Sequence, residues 1–540
     1  MSGENWDTSV AWSFHNATKY VWLGDEAAGR WFGMGTPPDV EAPIWEKDWS
    51  LEPFPFKIYE TIPQVAIPRN LPPSPIPALQ AIARRGAEGA GEAFPDRATL
   101  ARIGLLSNGL LGRQFKRREA TADFRTAGAT GARYHLEVYF VCADLPDLPA
   151  GVYHYAAHDH SLGRLRAGDY RAALAAAAGG EPTLARVPVV LAMTSTFWRN
   201  AWRYKARAYR HAFWDAGTAF ANALAVAAAC GLPAKLVLGY ADGPVNALLG
   251  VDGRDEAAVA LCAIGRADRP AQTSPDAAPL ALPSRAPSPR QVEFPHIQRL
   301  HRASELSSGA EAASWRAEPL RRKLVEPAGE VVPLRSVSDE QLPKTSIEEL
   351  IFSRRSTRHY AADVPIPFDA FSSLLELSSR GVAADCVALG APSLHDLYLI
   401  VNNVEGLAPG VYLHHRHLKA IELLKEGDFR QVAQRLAVGQ AYAADAHVNC
   451  YYLTALGPVL ERYGNRGYRL AQVECSLYAG KLHLATHAVG LRAVGSTSLD
   501  DDVTEFFSPH AAAKSYMFVT VFGRRRPRGQ PGTGSRSTRL

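Results

Sequence analysis

Apolar and polar positions alternate along this chain in runs of strand length, interrupted by one long run that is apolar on every side. Residues 134–142, YHLEVYFVC, and 395–403, HDLYLIVNN, are rich in β-branched and aromatic residues and predict strands. GVYHY (151–155) and GVYLH (410–414) open further short strands, and GDYR (168–171) and GDFR (427–430) are turns that enter helices. AFWDAGTAFANALAVAAAC (212–230) is apolar nearly all round, the pattern of a buried central helix, with Gly231 placed to cap it. ALCAIG (260–265) and MFVTVFG (517–523) predict closing strands. Strand pairs, a buried helix and a late strand imply an α+β fold, a sheet with helices packed on it.

The pattern is written twice. LPAGVYHYAAHDHSLGRLRAGDYR (148–171) matches LAPGVYLHHRHLKAIELLKEGDFR (407–430) without a gap, at an offset of 259 residues. The segment beginning RYKARAYRHAFWD at 203 matches the one beginning RYGNRGYRLAQVE at 462 at the same offset. FHNATK (14–19) has a looser echo in LHRASE (300–305). A period this long is that of homologous domains, not of a solenoid. The stretch 267–291, rich in Pro, Ala and Ser, predicts a flexible connector between a domain at 1–266 and a second at 292–525, with a basic tail at 526–540.

Composition narrows the class. Of 540 residues 47% are hydrophobic and 21% charged, as in ordinary globular proteins. The net charge of +5 owes part of its excess to the tail, which lacks the interleaved aromatics of a nucleic-acid reader. Six scattered cysteines with no CxxC speak against a disulfide framework or a zinc site. The polar N-terminus lacks an apolar signal region, and the most apolar run contains Asn222 and is short for a bilayer, so a soluble, cytoplasmic protein is expected. HYAAHDH (154–160) and HHRH (414–417) lack an accompanying cluster of ligands at metal-site spacing, and no metal is expected. Asp500–Asp502 before VTEFF fit a helix N-terminus. GAEGAGEAF is not a GxGxxG phosphate loop.

SRRSTRHY (353–360) places three guanidinium groups and several hydroxyls in eight residues. Arginine forks match phosphate oxygens two at a time, so the cluster fits either a phosphate monoester or a solvated, cationic helix end. RRSTRHY followed by VPIPFDAFSSLLELSSRG resembles the opening of the nitroreductase-like flavoproteins. GLAPGVYLHH, RYGNRGYRL and GLRAVGSTSLDDDVTEFF are similar to the SagB-type azoline dehydrogenase branch of that family. That family forms homodimers with FMN at the interface. The resemblance therefore implies two tandem nitroreductase-like domains folded into an intrachain pseudo-dimer, with room for further homo-oligomerisation.

The resemblance assigns the FMN phosphate to Arg354, Arg355, Ser356 and Arg358, joined by Arg525, and the ring's N5 side to Gly495 and Ser496. The loop facing the ring would come from the other half, with Arg125, Thr130 and Gly131 in RTAGATGA (125–132). The reverse combination is degenerate. Arg84 and Arg85 are followed by Gly86 with Glu88 nearby, Leu236 stands 259 residues before Gly495, and ADCVALGA (384–391) has Ala384 in place of the arginine. Both loops lack the family's Pro-Ser pair. One live composite FMN site is expected and one vestigial site, with Arg354→Ala lowering flavin affinity and Arg84→Ala not.

Azoline dehydrogenases carry a Lys-Tyr pair before the buried helix; here the pairs read Arg203-Tyr204 and Arg462-Tyr463. Arginine does not give up its proton, so Tyr463 or Tyr204 is the candidate base, each weighed against simple core packing. The expected activity is oxidation of azoline rings to azoles in a peptide or carrier-bound substrate, beside a cyclodehydratase or peptide synthetase. The alternatives are an NAD(P)H-fed nitro or quinone reductase and a flavin-free scaffold subunit.

Overall fold

In the computed structural model the described residues are 4–25, 30–34, 47–86, 91–117, 120–280, 282–387 and 390–527. Glu88 and the tail beyond residue 527 lie outside them. Each half builds one seven-stranded antiparallel sheet. The first contains β1 (Gln64–Ala66), β2 (Leu136–Cys142), β3 (Gly151–Ala156), β4 (Ser161–Ala167), β5 (Val189–Thr196), β6 (Ala234–Val237) and β7 (Glu256–Ile264), in the spatial order β1-β4-β3-β2-β5-β7-β6. The second contains β8 (Val331–Pro333), β9 (His395–Val401), β10 (Gly410–His415), β11 (Ala420–Glu426), β12 (Val448–Thr454), β13 (Arg492–Ser496) and β14 (Ser515–Gly523), ordered β8-β11-β10-β9-β12-β14-β13. The two orders are the same strand for strand. Five strand starts, 136, 151, 161, 189 and 256, recur 259 residues later. Register follows suit: Val138 pairs with Met193 as Leu397 pairs with Tyr452.

The predicted central helix spans Ala208–Ala229, with Gly231 just beyond its cap, and its counterpart spans Arg466–Ala488. They pack against each other across the halves. Gly217 makes this approach possible, because a Cβ there would meet Val473 O at 2.7 Å. Ser476 Oγ donates to Phe213 O at 3.1 Å across the same contact. Each helix is buried all round because its own sheet covers one side and the opposite helix covers the other. The second helix manages this with polar residues. Gln472 accepts the Trp214 indole N–H, Glu474 pairs with His395, and Lys481 reaches Gly381 O at 3.2 Å.

At the ends of these helices the repeated RYxxRxYR and FHNATK-like motifs interlock. Arg207 and Arg210 reach Asp500 in the second half, while Arg466 and Arg469 reach Asp242 in the first. Arg210 also donates to His15 O and Thr18 Oγ1, and Arg469 to His301 O and Ser304 Oγ. All of these side chains are buried. Burying such ion pairs costs their hydration, and here each aspartate accepts from two arginines, with Arg207 Nε left without a partner among the described residues. Burial works against the charge on Asp242, but Arg466 and Arg469 outweigh it and hold the carboxyl below its ordinary value.

Among its described residues the connector 267–291 carries no helix or strand, as its composition predicts. It is nonetheless tied to the first half. Arg285 N donates to Ile58 O at 2.9 Å, Glu60 N to Pro283 O at 3.1 Å and Arg166 Nη2 to Ala278 O at 2.6 Å. Backbone partners supplied by the 54–60 segment hold a stretch that composition alone describes as flexible.

Candidate functional site

The arginine arm follows the helix Ile347–Ser353 and lies along the edge of the second sheet. Thr357 N donates to Ala493 O of β13 at 3.3 Å, and Ala361 N to Arg524 O at 3.0 Å. This lay-down brings Arg355, Arg492 and Arg525 together. Burial lowers the pKa of the Arg492 guanidinium, and the like charges of Arg525 and Arg355 lower it further. None of the three forms an ion pair among the described residues. Arg355, Ser356, Arg358 and Gly495 are exposed. Ser496 is held by Tyr442, whose hydroxyl lies 2.6 Å from its Oγ, and Arg358 sits 5.6 Å from the centre of the Tyr442 ring.

The loop 125–132 of the first half faces this edge. Thr130 donates its backbone N–H and its hydroxyl to Asp215, both at 2.8 Å, and Asp215 also meets His135 Nε2 at 2.8 Å. Gly131 adopts φ +62°, and a Cβ there would run into the Tyr204 hydroxyl, so glycine is required both for the turn and for the approach. Arg354 ties the arm to this loop by donating to Thr126 O at 3.0 Å. Among the described residues no backbone hydrogen bond joins β13 to the loop. The seam is open.

The homologous seam is stitched together. Leu236 of β6 donates its N–H to Ala383 O at 2.9 Å, and Asp385 N donates to Leu236 O at 3.0 Å. Asp385 then accepts from Leu238 N and Gly239 N, both at 2.9 Å. Ala383 N reaches back to Arg85 O at 2.8 Å. Leu236 is 2% exposed, and Trp315 lies so close to Gly239 that a Cβ there would meet the indole at 3.0 Å. Backbone and indole occupy the space between strand and loop.

A family model described as the Nitroreductase family matches residues 113–266 and 351–521, more than half of the chain and once in each lobe. The chain belongs to the Nitroreductase family. Family members are flavin-dependent oxidoreductases. The protein named "Putative nitroreductase MJ1384" of Methanocaldococcus jannaschii is 29% identical over 126 residues, which cover 23% of this chain and 64% of that protein. Among solved structures, one named as a putative nitroreductase from Anabaena variabilis superposes with a TM-score of 0.73 at 23% identity, over 96% of this chain and 99% of that one. It shares the two-lobed fold. Another from Ralstonia eutropha covers 41% of this chain and 99% of its own at 20% identity, with a TM-score of 0.31.

Within these two nitroreductase lobes the sequence candidates fall into three groups. Arg355, Ser356, Arg358, Gly495, Ser496, Arg525, Thr130, Gly131 and Tyr204 line the open seam. Arg354 and Arg125 are buried behind it. Arg354 is 6% exposed and its guanidinium is lowered to about 10 by burial, while Arg125 lies between Phe56 and Tyr134 and donates to Pro55 O at 2.7 Å. Tyr463 belongs to the stitched side, 0% exposed. Its hydroxyl donates to Cys386 O at 2.9 Å and accepts from Leu320 N at 2.9 Å, and burial raises it to about 12.

Sequence reasoning missed Arg492 and Tyr442. Arg492 was within reach of the repeat, because GLR at 490–492 aligns with GLP at 231–233 and only the second lobe places a cation there. Tyr442 arrives from a segment with no motif. The histidines mostly pair with neighbours: His154 meets Glu137 at 3.1 Å and His415 meets Glu422 at 2.8 Å. His395, Glu474 and Cys475 lie close together, but His395 Nδ1 bonds Glu474 at 2.6 Å and burial raises the Cys475 thiol. Among the described residues no helix is long and apolar enough to cross a membrane.

Proposed function

We propose that this chain is an FMN-dependent dehydrogenase that holds one flavin in the open seam and oxidises azoline rings to azoles in a peptide or carrier-bound substrate. The observation that supports this reading is the asymmetry of the seams: one leaves Arg355, Arg358, Gly495 and Gly131 exposed with no backbone bond between strand and loop among the described residues, and the other is closed by backbone bonds through Leu236. The fit to FMN rests on the three guanidiniums at 355, 492 and 525. They repel one another, and a phosphate dianion would relieve that repulsion. The narrowing to azolines rests on the motifs of the second lobe and on the tyrosine before the first central helix.

Bound there, FMN would supply an acceptor for hydride. Arg355, Arg492 and Arg525 would hold its phosphate, with Ser356 and Arg358 beside them. Tyr204 would take the substrate proton. Burial raises its pKa above the ordinary phenol value, partly offset by Arg203, with Arg358 a smaller opposing influence. The phenol therefore keeps its proton at neutral pH, and oxidation through Tyr204 as base is expected to quicken as pH rises. Thr130 and Asn200, which donates to Thr130 O at 3.2 Å, keep the loop beside Tyr204 in place.

Flavin released from the purified protein and quantified against chain tests the reading. One FMN per chain is expected; two would overturn the asymmetry, and a colourless protein that takes up no added FMN would favour a scaffold role. The name of the Methanocaldococcus relative, a putative nitroreductase, supports a second reading, a nitro- or quinone-type reductase, for which NAD(P)H would be the electron donor. Rapid bleaching of the flavin band on adding NAD(P)H would favour it.

A further inference from the structure

Behind the stitched seam the second lobe contains a cavity of about 740 Å³, within the range of small-molecule sites. It lies between the turn after β10, the segment following the helix Phe368–Ser378, and the end of the first lobe's arginine arm. Its charges do not cancel. Glu376 is already bound on both oxygens by Arg380 at 2.9 Å, Asp396 is paired with Arg322 and with Lys514, and the third lining carboxylate, Asp339, is exposed, as is the lining Lys419. Arg416 is held by three uncharged acceptors, Ser379 O, the Tyr478 hydroxyl and Ala391 O, and pairs with no carboxylate among the described residues. Arg84 is exposed at the rim and likewise forms no ion pair among the described residues.

The floor is built with the same care. His395 Nδ1 is fixed by Glu474, whose other oxygen accepts Leu394 N at 2.8 Å. The imidazole stands edge-on to Tyr452 and Tyr478, with ring centres 5.1 and 4.9 Å away. Among the described residues its Nε2 takes no hydrogen bond, and the residue borders the cavity. A guanidinium oriented in advance beside aromatic and aliphatic walls is the arrangement that recognises an anionic head on an apolar body.

We propose that this cavity binds a small organic anion, a carboxylate or phosphate monoester on an apolar body, with Arg416 and Arg84 on the charge and Tyr452 and Leu413 against the body. The site lies apart from the open seam and goes beyond the flavin reading. The second half-site has closed to a ring, while both arginines of its phosphate arm, Arg84 and Arg85, line a different cavity.

Calorimetric titration of the full chain, saturated with FMN, with phenyl phosphate, benzoate and phenol tests this. Saturable one-to-one binding of phenyl phosphate or benzoate is expected, and none of phenol. Tighter phenyl phosphate would assign a phosphate ligand, and tighter benzoate a carboxylate. Arg84→Ala should weaken the anion ~10-fold or more, as expected on removing a charge-assisted hydrogen bond. Leu324→Trp, at a 39% exposed position on the wall, should block entry without touching the core. Arg358→Ala should leave this binding unchanged. Absence of saturable binding, equal binding of phenol, or binding lost in Arg358→Ala but kept in Arg84→Ala would overturn the proposal.

Discussion

At Gly495 the edge of the second sheet is exposed, and among the described residues no backbone bond joins it to the loop of the first lobe. At Leu236, 259 residues earlier, the same edge is bonded through its backbone to the loop of the second lobe. The junction of the central helices shows no such divergence: Arg207 and Arg210 on Asp500 mirror Arg466 and Arg469 on Asp242. In a homodimer every substitution appears at both sites. Two lobes in one chain are free of that constraint, so the seams can differ, as they do here. The junction is unchanged, because both halves of the knot hold the lobes together.

The largest expected effect separates the two tyrosines. Tyr204→Phe should lower kcat ~10²–10⁴-fold, the usual contribution of a positioned acid or base, while Tyr463→Phe should leave kcat near its original value. In the wild type, kcat/KM should still be rising at pH ~10, because burial holds the Tyr204 phenol above that ordinary value. A flat alkaline profile would remove Tyr204 from the role of base.

Next comes the junction. Asp242→Ala and Asp500→Ala should each cost ~3–5 kcal/mol in urea unfolding, since each strands two buried guanidiniums. A large difference between the two would break the symmetry described for the knot. For Asp242 the native pKa is depressed, so its contribution is complete above the unfolded-chain value of ~3.9 and is lost as pH falls through the native value. Thermal melts below pH 4 should show that loss, and Asp242→Ala should lack it.

Flavin affinity sharpens the contrast between the arms. Arg355→Ala or Arg358→Ala should weaken FMN ~10–100-fold, as expected for a lost charge-assisted hydrogen bond, and Arg84→Ala should not change it. The smallest effect on flavin belongs to Leu236→Gly. Deleting the side chain leaves the backbone bonds to Ala383 and Asp385 in place, so flavin content should stay at one per chain by absorbance.

Much of this was legible before the structure. The 259-residue offset identifies two homologous lobes, and the strand sequences 134–142 and 395–403 become homologous strands of homologous sheets. Asp500–Asp502 do open a helix, but Asp500 also turns inward to Arg207 and Arg210, which a reading of local helix ends does not reveal. The second central helix was harder to see, because Gln472, Glu474 and Lys481 interrupt its apolar pattern. Their partners are distant in sequence, and only those partners make burial tolerable.

The chain alone determined the doubling, the sheet-forming segments and the unequal motifs of the two arms, because these are local patterns of side-chain type read against a constant offset. Which arginines face the cleft and which support it was decided by tertiary structure. Arg354 and Arg355 are neighbours in one motif, yet one bonds Thr126 of the other lobe and the other is exposed beside Arg492 and Arg525. That choice depends on where a loop some 230 residues away comes to rest, as does the closing of the Leu236 seam by a loop about 150 residues away. Contacts at such separations leave no periodicity in the sequence, and packing alone selects them.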